Sequence, residues 1–260
     1  MNRRDAETQS FEEIAIDRIS SAPLRLCGEN NWLLWQLGDS AFPTGGFAHS
    51  AGLEAAWQHG EVRNRSELTS FVEASLHQIG RAALPFVTAA HTEPERLEEF
   101  DALCDAFTTN HVANRASRAQ GRAFLSAVQR IFAVGQASCL SPYLSHPKHL
   151  QRETGGTPVL RFSHFACVFG ALTRQLELPR DTASRLFFFN HLRSILAAAV
   201  RLNIIGPMEA QTLQHQLSSA AEEVLNRCDS LTLDDIAQTS PLFDLWQGAQ
   251  DRLYSRLFQS

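Results

Sequence analysis

His49 and Ser50, with Glu54 four residues on, bring an imidazole, a hydroxyl and a carboxylate into one short stretch, WLLWQLGDSAFPTGGFAHSAGLEAAW (Trp32–Trp57). These residue types suit either a nucleophile with its base or a set of recognition contacts. A serine nucleophile needs an imidazole aimed at its hydroxyl and a third group to orient that imidazole. Neighbours on a helix point in different directions, and the chain lacks the G-x-S-x-G turn that presents a hydrolase serine. A small hydrolase using Ser50 is therefore the weaker reading. Ser50 is better suited to satisfying backbone groups at a helix start. Just before it, Pro43, Gly45 and Gly46 mark a backbone path that most residues could not follow. The stretch reads as a rigid contact loop. Gly45 and Gly46 would hold its path, Phe47 would anchor an apolar contact, and His49 and Glu54 would offer polar ones.

Three other groupings have chemical potential. Cys139, His146 and His149 carry donors that suit zinc or nickel, and a metallochaperone binding nickel directly would use them. They lie in an irregular stretch with no obvious further ligand, so an incidental solvated cluster is the plainer reading. The histidines His77, His111, His164, His191 and His215 fall singly on helical stretches, where a hydrogen-bonded core or surface role is the default. Arg115, Arg118 and Arg122 form a stripe at spacings of three and four, which fits a solvated face, pairing with an acidic neighbour, or docking of an acidic partner. At the end of the chain, Leu242, Leu245, Trp246, Ala249, Leu253 and Leu257 make an apolar stripe near Phe243, Tyr254 and Phe258. Such a stripe packs on its own domain or forms an interface patch. No phosphate-binding G-x-x-x-x-G-K-[ST], no G-x-G-x-x-G and no H-E-x-x-H occurs. The expectation is a protein that is not an enzyme and holds no tightly bound cofactor.

The elements that must position these groups are helices. The 260 residues are 44% hydrophobic and 20% charged, enough to bury a core. A net charge of -5 argues against non-specific nucleic-acid binding, which needs a basic face. Five scattered cysteines (Cys27, Cys104, Cys139, Cys167, Cys228) without a C-x-x-C pair suit the reduced thiols of a cytoplasm. The acidic residues after Arg3 and Arg4 speak against a signal peptide. The most apolar window, Leu186–Ile205, is broken by Asn190, His191, Arg193, Arg201 and Asn203, so it reads as a buried helix and not a membrane span.

From Trp32 onward almost every segment has helical spacing. Asn64 with Glu67 resembles a capping box, and Pro94 opens a helical stretch to Phe132 with a break near Asn110. Helices are expected at Ser163–Leu178, Asp181–Ile205, Pro207–Cys228, Thr232–Gln238 and Pro241–Phe258. The fold class is all-α: a flexible arm over 1–29, then one bundle-like domain over 30–260 of about ten helices. Gly135–Phe162, with three prolines and three glycines, interrupts it as an irregular insertion that is either functional or disordered.

The same residues carry a resemblance. LLWQLGDSAFPTGGFAHSAGLEAA is similar to the opening loop of the urease accessory protein UreF family. RASRAQGRAFL with Gly121, SHFACVFGALTRQLEL, AAAVRLNIIGPMEAQ with Arg201 and Gly206, and a tail with Arg256, Leu257, Phe258 and Ser260 follow the family's pattern. The resemblance implies an all-helical, non-catalytic accessory protein that serves nickel delivery to urease. Its partners would be a UreD/UreH-type scaffold, the nickel-carrying GTPase UreG and apo-urease, with nickel handled by the complex. It also implies a homodimer; that neither nucleic acid nor membrane is bound is the expectation from the net charge and the interrupted apolar window. Partner-binding residues would be Pro43, Gly45, Gly46, Phe47, His49, Ser50, Glu54, Arg115, Arg118, Gly121, Arg201, Gly206, Tyr254, Arg256, Leu257 and Phe258. Two departures stand out: a longer 135–162 segment, and Gln250-Asp251 where the family commonly has a His-Glu pair.

Overall fold

The computed structural model describes residues 31–132, 150–151, 159–160 and 163–260. The arm over 1–29, most of the 135–162 insertion, and with it Cys139, His146 and His149, lie outside the described residues. By compactness the chain divides into Met1–Leu33 and Leu34–Ser260. Of the first unit only Asn31–Leu33 are described, as the start of helix α1 (Asn31–Gly38).

The second unit is helical, as expected. A 3-10 turn (Gly46–Ala48) leads to α2 (Leu53–Gln58), α3 (Arg65–Ala82) and α4 (Leu84–Thr92). A further 3-10 turn at Pro94–Arg96 precedes α5 (Leu97–Phe107) and α6 (His111–Ile131). Then come α7 (Phe165–Gln175), α8 (Arg180–Arg201), α9 (Pro207–Cys228) and α10 (Pro241–Ala249). Within the insertion, Leu150–Gln151 and Val159–Leu160 form a minimal antiparallel ladder.

Caps set several boundaries. The Asn64 side chain accepts from the Glu67 N–H at 3.1 Å and opens α3. Asn110 accepts from the Val112 and Ala113 N–H groups at 3.0 and 3.1 Å, which divides α5 from α6. Other ends differ from the periodicity. The α8 helix stops at Arg201 because Asn203 adopts φ 57°, and α7 stops at Gln175, with Glu177 at φ 59°. Thr232–Gln238 forms only a 3-10 turn over Leu233–Asp235, closed by a Thr232–Asp235 capping box. The stretch expected as helix to Phe258 leaves helix at Ala249, turns once through Gln250–Arg252 and continues as an irregular, bending tail.

The core centres on the close approach of α4 and α7. A Cβ on Gly170 would lie 2.2 Å from the Val87 carbonyl oxygen, so only glycine lets the two backbones meet there. Around it Phe124, Phe165, Phe169 and Phe187 form an aromatic cluster, with ring centroids of Phe124 and Phe169 5.4 Å apart. Fully burying such a ring contributes about 2–3 kcal/mol. On α6, a Cβ at Gly121 would overlap the Ser163 carbonyl oxygen at 1.9 Å. Gly121 is thus an internal packing position that admits the chain entering α7.

Candidate functional site

The Gly/Pro loop and the tail, far apart in sequence, build one site. Gly45 sits at φ 73° and Gly52 at φ 86°, left-handed values that favour glycine. The tail runs beside the loop through backbone hydrogen bonds: Gln259 N–H donates to Ala48 O (2.8 Å) and Ser50 N–H to Ser260 O (2.5 Å). His49 Nδ1 and the Ser260 hydroxyl are 2.5 Å apart.

Glu54 fixes the tail from inside. Its carboxylate is 1% exposed and accepts from the Leu257 N–H (2.6 Å), the Phe258 N–H (3.1 Å) and the Gln250 side-chain amide (2.6 Å). Gln250 also donates to Phe258 O at 3.2 Å. From α8, the Arg201 guanidinium lies 3.7 Å from the Phe47 ring centroid and 4.2 Å from that of Phe258, and donates to Phe47 O. Two cation–π faces on one arginine join loop, tail and α8. On the outside, Asp251 accepts from Arg115 (2.8 Å), Arg256 (3.2 Å) and His111 (3.2 Å), tying the tail to α6. Burial, and then the Arg115 charge, lower the His49 pKa, so this imidazole is held neutral.

Behind the loop and tail is a cavity of about 470 Å³, lined in part by Phe47, His49, Cys104, Gln120, His191 and Arg201. His191 bonds the Ser75 hydroxyl at 2.6 Å, and burial pushes its pKa down to about 4.

The sequence-predicted residues therefore fall into two sets. Pro43, Gly45, Phe47, Tyr254, Arg256 and Leu257 are exposed around the loop and tail, and Gly46, His49 and Arg201 are half-buried there. Phe47 keeps 72% of its surface accessible and Leu257 58%. Gly206 lies in the exposed turn before α9, where an added Cβ meets nothing within 4 Å. Ser50, Glu54 and Phe258 are buried, and within this chain they serve its own tail. Ser50 Oγ accepts from the Glu54 N–H at 3.4 Å while His49 is engaged by Ser260, so no Ser–His dyad forms. The arginine stripe is also committed internally, Arg115 to Asp251 and Arg118 to Asp105 at 3.2 Å. The C-terminal apolar stripe splits: Phe243 packs inward, 4.8 Å from Phe71 between centroids, while Leu242 and Leu245 are exposed.

A buried polar cluster escaped the sequence reading. His164, read as a single helical histidine, is fully buried at the start of α7. Its backbone N–H donates to Asp101 Oδ1 (2.7 Å), its Nδ1 meets Ser117 Oγ (3.1 Å) and its Nε2 meets Asp105 Oδ1 (3.1 Å). Asp101 Oδ2 has no partner, and burial raises that carboxyl to about 6 despite the opposing influence of His164. Burial opposes charge on His164, yet Cys104, Asp101 and Asp105 together raise its pKa. The available signal was Asp101, Cys104 and Asp105 on one helical face of α5. Among the described residues no group of three or more His, Cys, Asp or Glu side chains is arranged to hold a metal ion. No helix among them is long and apolar enough to cross a membrane.

The UreF family model matches residues 62–218, which run from the approach to α3 into α9. The chain is 38% identical over 229 residues to urease accessory protein F of Oryza sativa subsp. indica, covering 87% of this chain and 84% of the relative. It is 36% identical over 256 residues to urease accessory protein F of Arabidopsis thaliana, covering 98% and 100%. A UreF-like urease accessory protein of Schizosaccharomyces pombe is 30% identical over 226 residues, covering 86% and 94%.

Proposed function

The chain belongs to the UreF family of urease accessory proteins, which implies a role in urease maturation, and we propose that it fills this role as a non-catalytic adaptor. It joins a UreD/UreH-type scaffold to the nickel-carrying GTPase UreG and modulates that GTPase. The assembly then serves nickel incorporation into apo-urease in the cytoplasm, with the nickel handled by the complex. The observation carrying this reading is the composite face of loop and tail. There Phe47, Tyr254 and Leu257 stay exposed on a backbone fixed from beneath by Glu54 and Arg201. Aromatic and aliphatic side chains on a rigid support are what interface centres use, because little ordering entropy is lost on binding. Further exposed apolar groups, among them Leu242, Leu245 and Met208, support self-association as a homodimer.

The test is co-purification with UreD/UreH-type and UreG-type proteins, together with urease activation in cells. Tyr254→Ala with Leu257→Asp changes only exposed side chains. It is expected to lower complex recovery at least tenfold, equivalent to about 1.4 kcal/mol, while the melting temperature of the isolated protein stays put. Unchanged recovery and unchanged urease activation would remove this face from the adaptor's contacts.

A further inference from the structure

We propose that Ser117 is a nucleophilic acyl-acceptor site that takes an apolar acyl group from an activated ester or thioester, with His164 as its base and Asp105 positioning that base. Three helices supply the parts: Ser117 from α6, His164 from the start of α7 and Asp105 from α5. Ser117 Oγ stands 3.1 Å from His164 Nδ1, and His164 Nε2 stands 3.1 Å from Asp105 Oδ1. Hydroxyl, imidazole and carboxylate thus form one continuous chain, the arrangement by which a base activates a serine. Burial works against charge on Asp105, but Asn114, His164 and Arg118 together hold its carboxyl below its ordinary value. In the neutral ring the ionised Asp105 accepts the proton on Nε2, which leaves Nδ1 as the bare nitrogen toward the hydroxyl.

Two other serine–histidine contacts show what sets this one apart. His49 Nδ1 meets Ser260 Oγ at 2.5 Å, and His191 Nε2 meets Ser75 Oγ at 2.6 Å. Among the described residues neither of those rings has a carboxylate bonded to its other nitrogen, and both of those serines are buried. Ser117 is half-buried and lines the 470 Å³ cavity, whose walls also include Phe107, Phe165 and Phe187. Such walls suit an aliphatic or aromatic acyl chain better than a charged one. The Phe165 N–H, at the start of α7, donates to Ser117 Oγ at 3.1 Å, so the positive end of that helix lies beside the reacting oxygen.

In the transfer the Ser117 hydroxyl proton passes to His164 Nδ1 as Oγ bonds to the acyl carbon. The bond from that carbon to the leaving oxygen or sulfur breaks, and the leaving group takes the proton from Nδ1. An activated ester and a hydroxyl thus give a Ser117 ester and an alcohol, or a thiol where the donor is a thioester. The acyl group is kept without turnover, so this site adds to the adaptor role and does not replace it.

The experiment incubates the full-length protein with p-nitrophenyl butyrate at neutral pH, follows p-nitrophenol release, and maps the butyryl group by digestion and mass spectrometry. The expected result is a stoichiometric burst and a butyryl ester on Ser117 that survives neutral hydroxylamine, which would strip a thioester. Ser117→Ala should abolish the burst, with circular dichroism confirming the fold. Asp105→Asn keeps the hydroxyl and should slow acylation about tenfold. The titratable and charged groups around His164 are Cys104, Asp101 and Asp105 on α5, with Arg118 of α6 bonded to Asp105 at 3.2 Å. Burial opposes charge on His164, but its acidic neighbours raise its pKa. Asp105→Asn should therefore also move the pH midpoint of acylation down, a shift that mere loosening of the helices does not produce. A butyryl group on Cys104 or Ser75 in place of Ser117, or on no residue, overturns the proposal. So does an Asp105→Asn protein that keeps the original rate and pH midpoint.

Discussion

Glu54 and Asp101 are carboxylates with almost no exposed surface, and their surroundings treat them in opposite ways. Glu54 receives two backbone N–H groups and a side-chain amide, so both of its oxygens are used. Asp101 receives one N–H, from His164, and its other oxygen is orphaned. A satisfied buried carboxylate serves as an organiser, because each of its donors is held at a fixed place. A half-satisfied one favours its neutral form. The first closes the loop and tail into one surface, and the second sits in a cluster whose charges respond to pH.

The largest expected effect separates these roles. Glu54→Ala removes the acceptor of the Leu257 and Phe258 N–H groups and one acceptor of Gln250, and should destabilise the docked tail by about 3–5 kcal/mol, at about 1–3 kcal/mol for each buried donor left unsatisfied. Hydrogen exchange at the Leu257 and Phe258 amides reads this directly, and unchanged protection would end the organiser reading. A smaller effect, of opposite sign, is expected at Asp101. Its folded pKa of about 6 lies above the ordinary value of 3.8, so between those values the native state holds a proton that the unfolded chain has lost. Stability from this group is therefore present at low pH and lost as pH rises through about 6, to a total of about 3 kcal/mol. Asp101→Asn keeps an acceptor for the His164 N–H and should flatten that slope in denaturation curves taken from pH 4 to 7. Equal slopes in both proteins would show that Asp101 is ionised throughout.

The smallest effect sharpens the contrast. The His49 pKa is lowered in the folded state, so the native protein resists a proton that the unfolded chain accepts. The stability it lends the loop is present above pH 6.5 and falls as pH drops toward its folded value. Mild acid should loosen the tail while relieving Asp101. Faster amide exchange at Gln259 and Ser50 below pH 6.5, with no such change around His164, is the expected pattern. Uniform loosening of both regions would break the comparison.

How far the sequence could be read follows from what each feature depends on. Helical periodicity located the elements, since a buried stripe is a local pattern. The ends of α7 and α8 were missed because Glu177 and Asn203, not glycines, take the left-handed turns. Gly45 announced the loop through its backbone freedom, but its docking partner was illegible. Backbone N–H groups of Leu257 and Phe258 leave no side-chain trace of their attachment to Glu54, about two hundred positions away. The helix expected through Phe258 lost to that tertiary contact, with Gln250 turned inward to Glu54. His164 looked solitary because Asp101, Asp105 and Ser117 reach it from other helices.

Arg201 carries a mechanical consequence. It is the last residue of α8, a helix of 22 residues and hence a rod about 33 Å long. Because its guanidinium lies against both Phe47 and Phe258, a load on either ring is taken up at the end of that rod. At the far end of the same helix Arg180 donates to Asp229 at 2.7 Å. The loop and tail are thus fastened to the end of a helix whose buried residues run from Ala183 to Ala199.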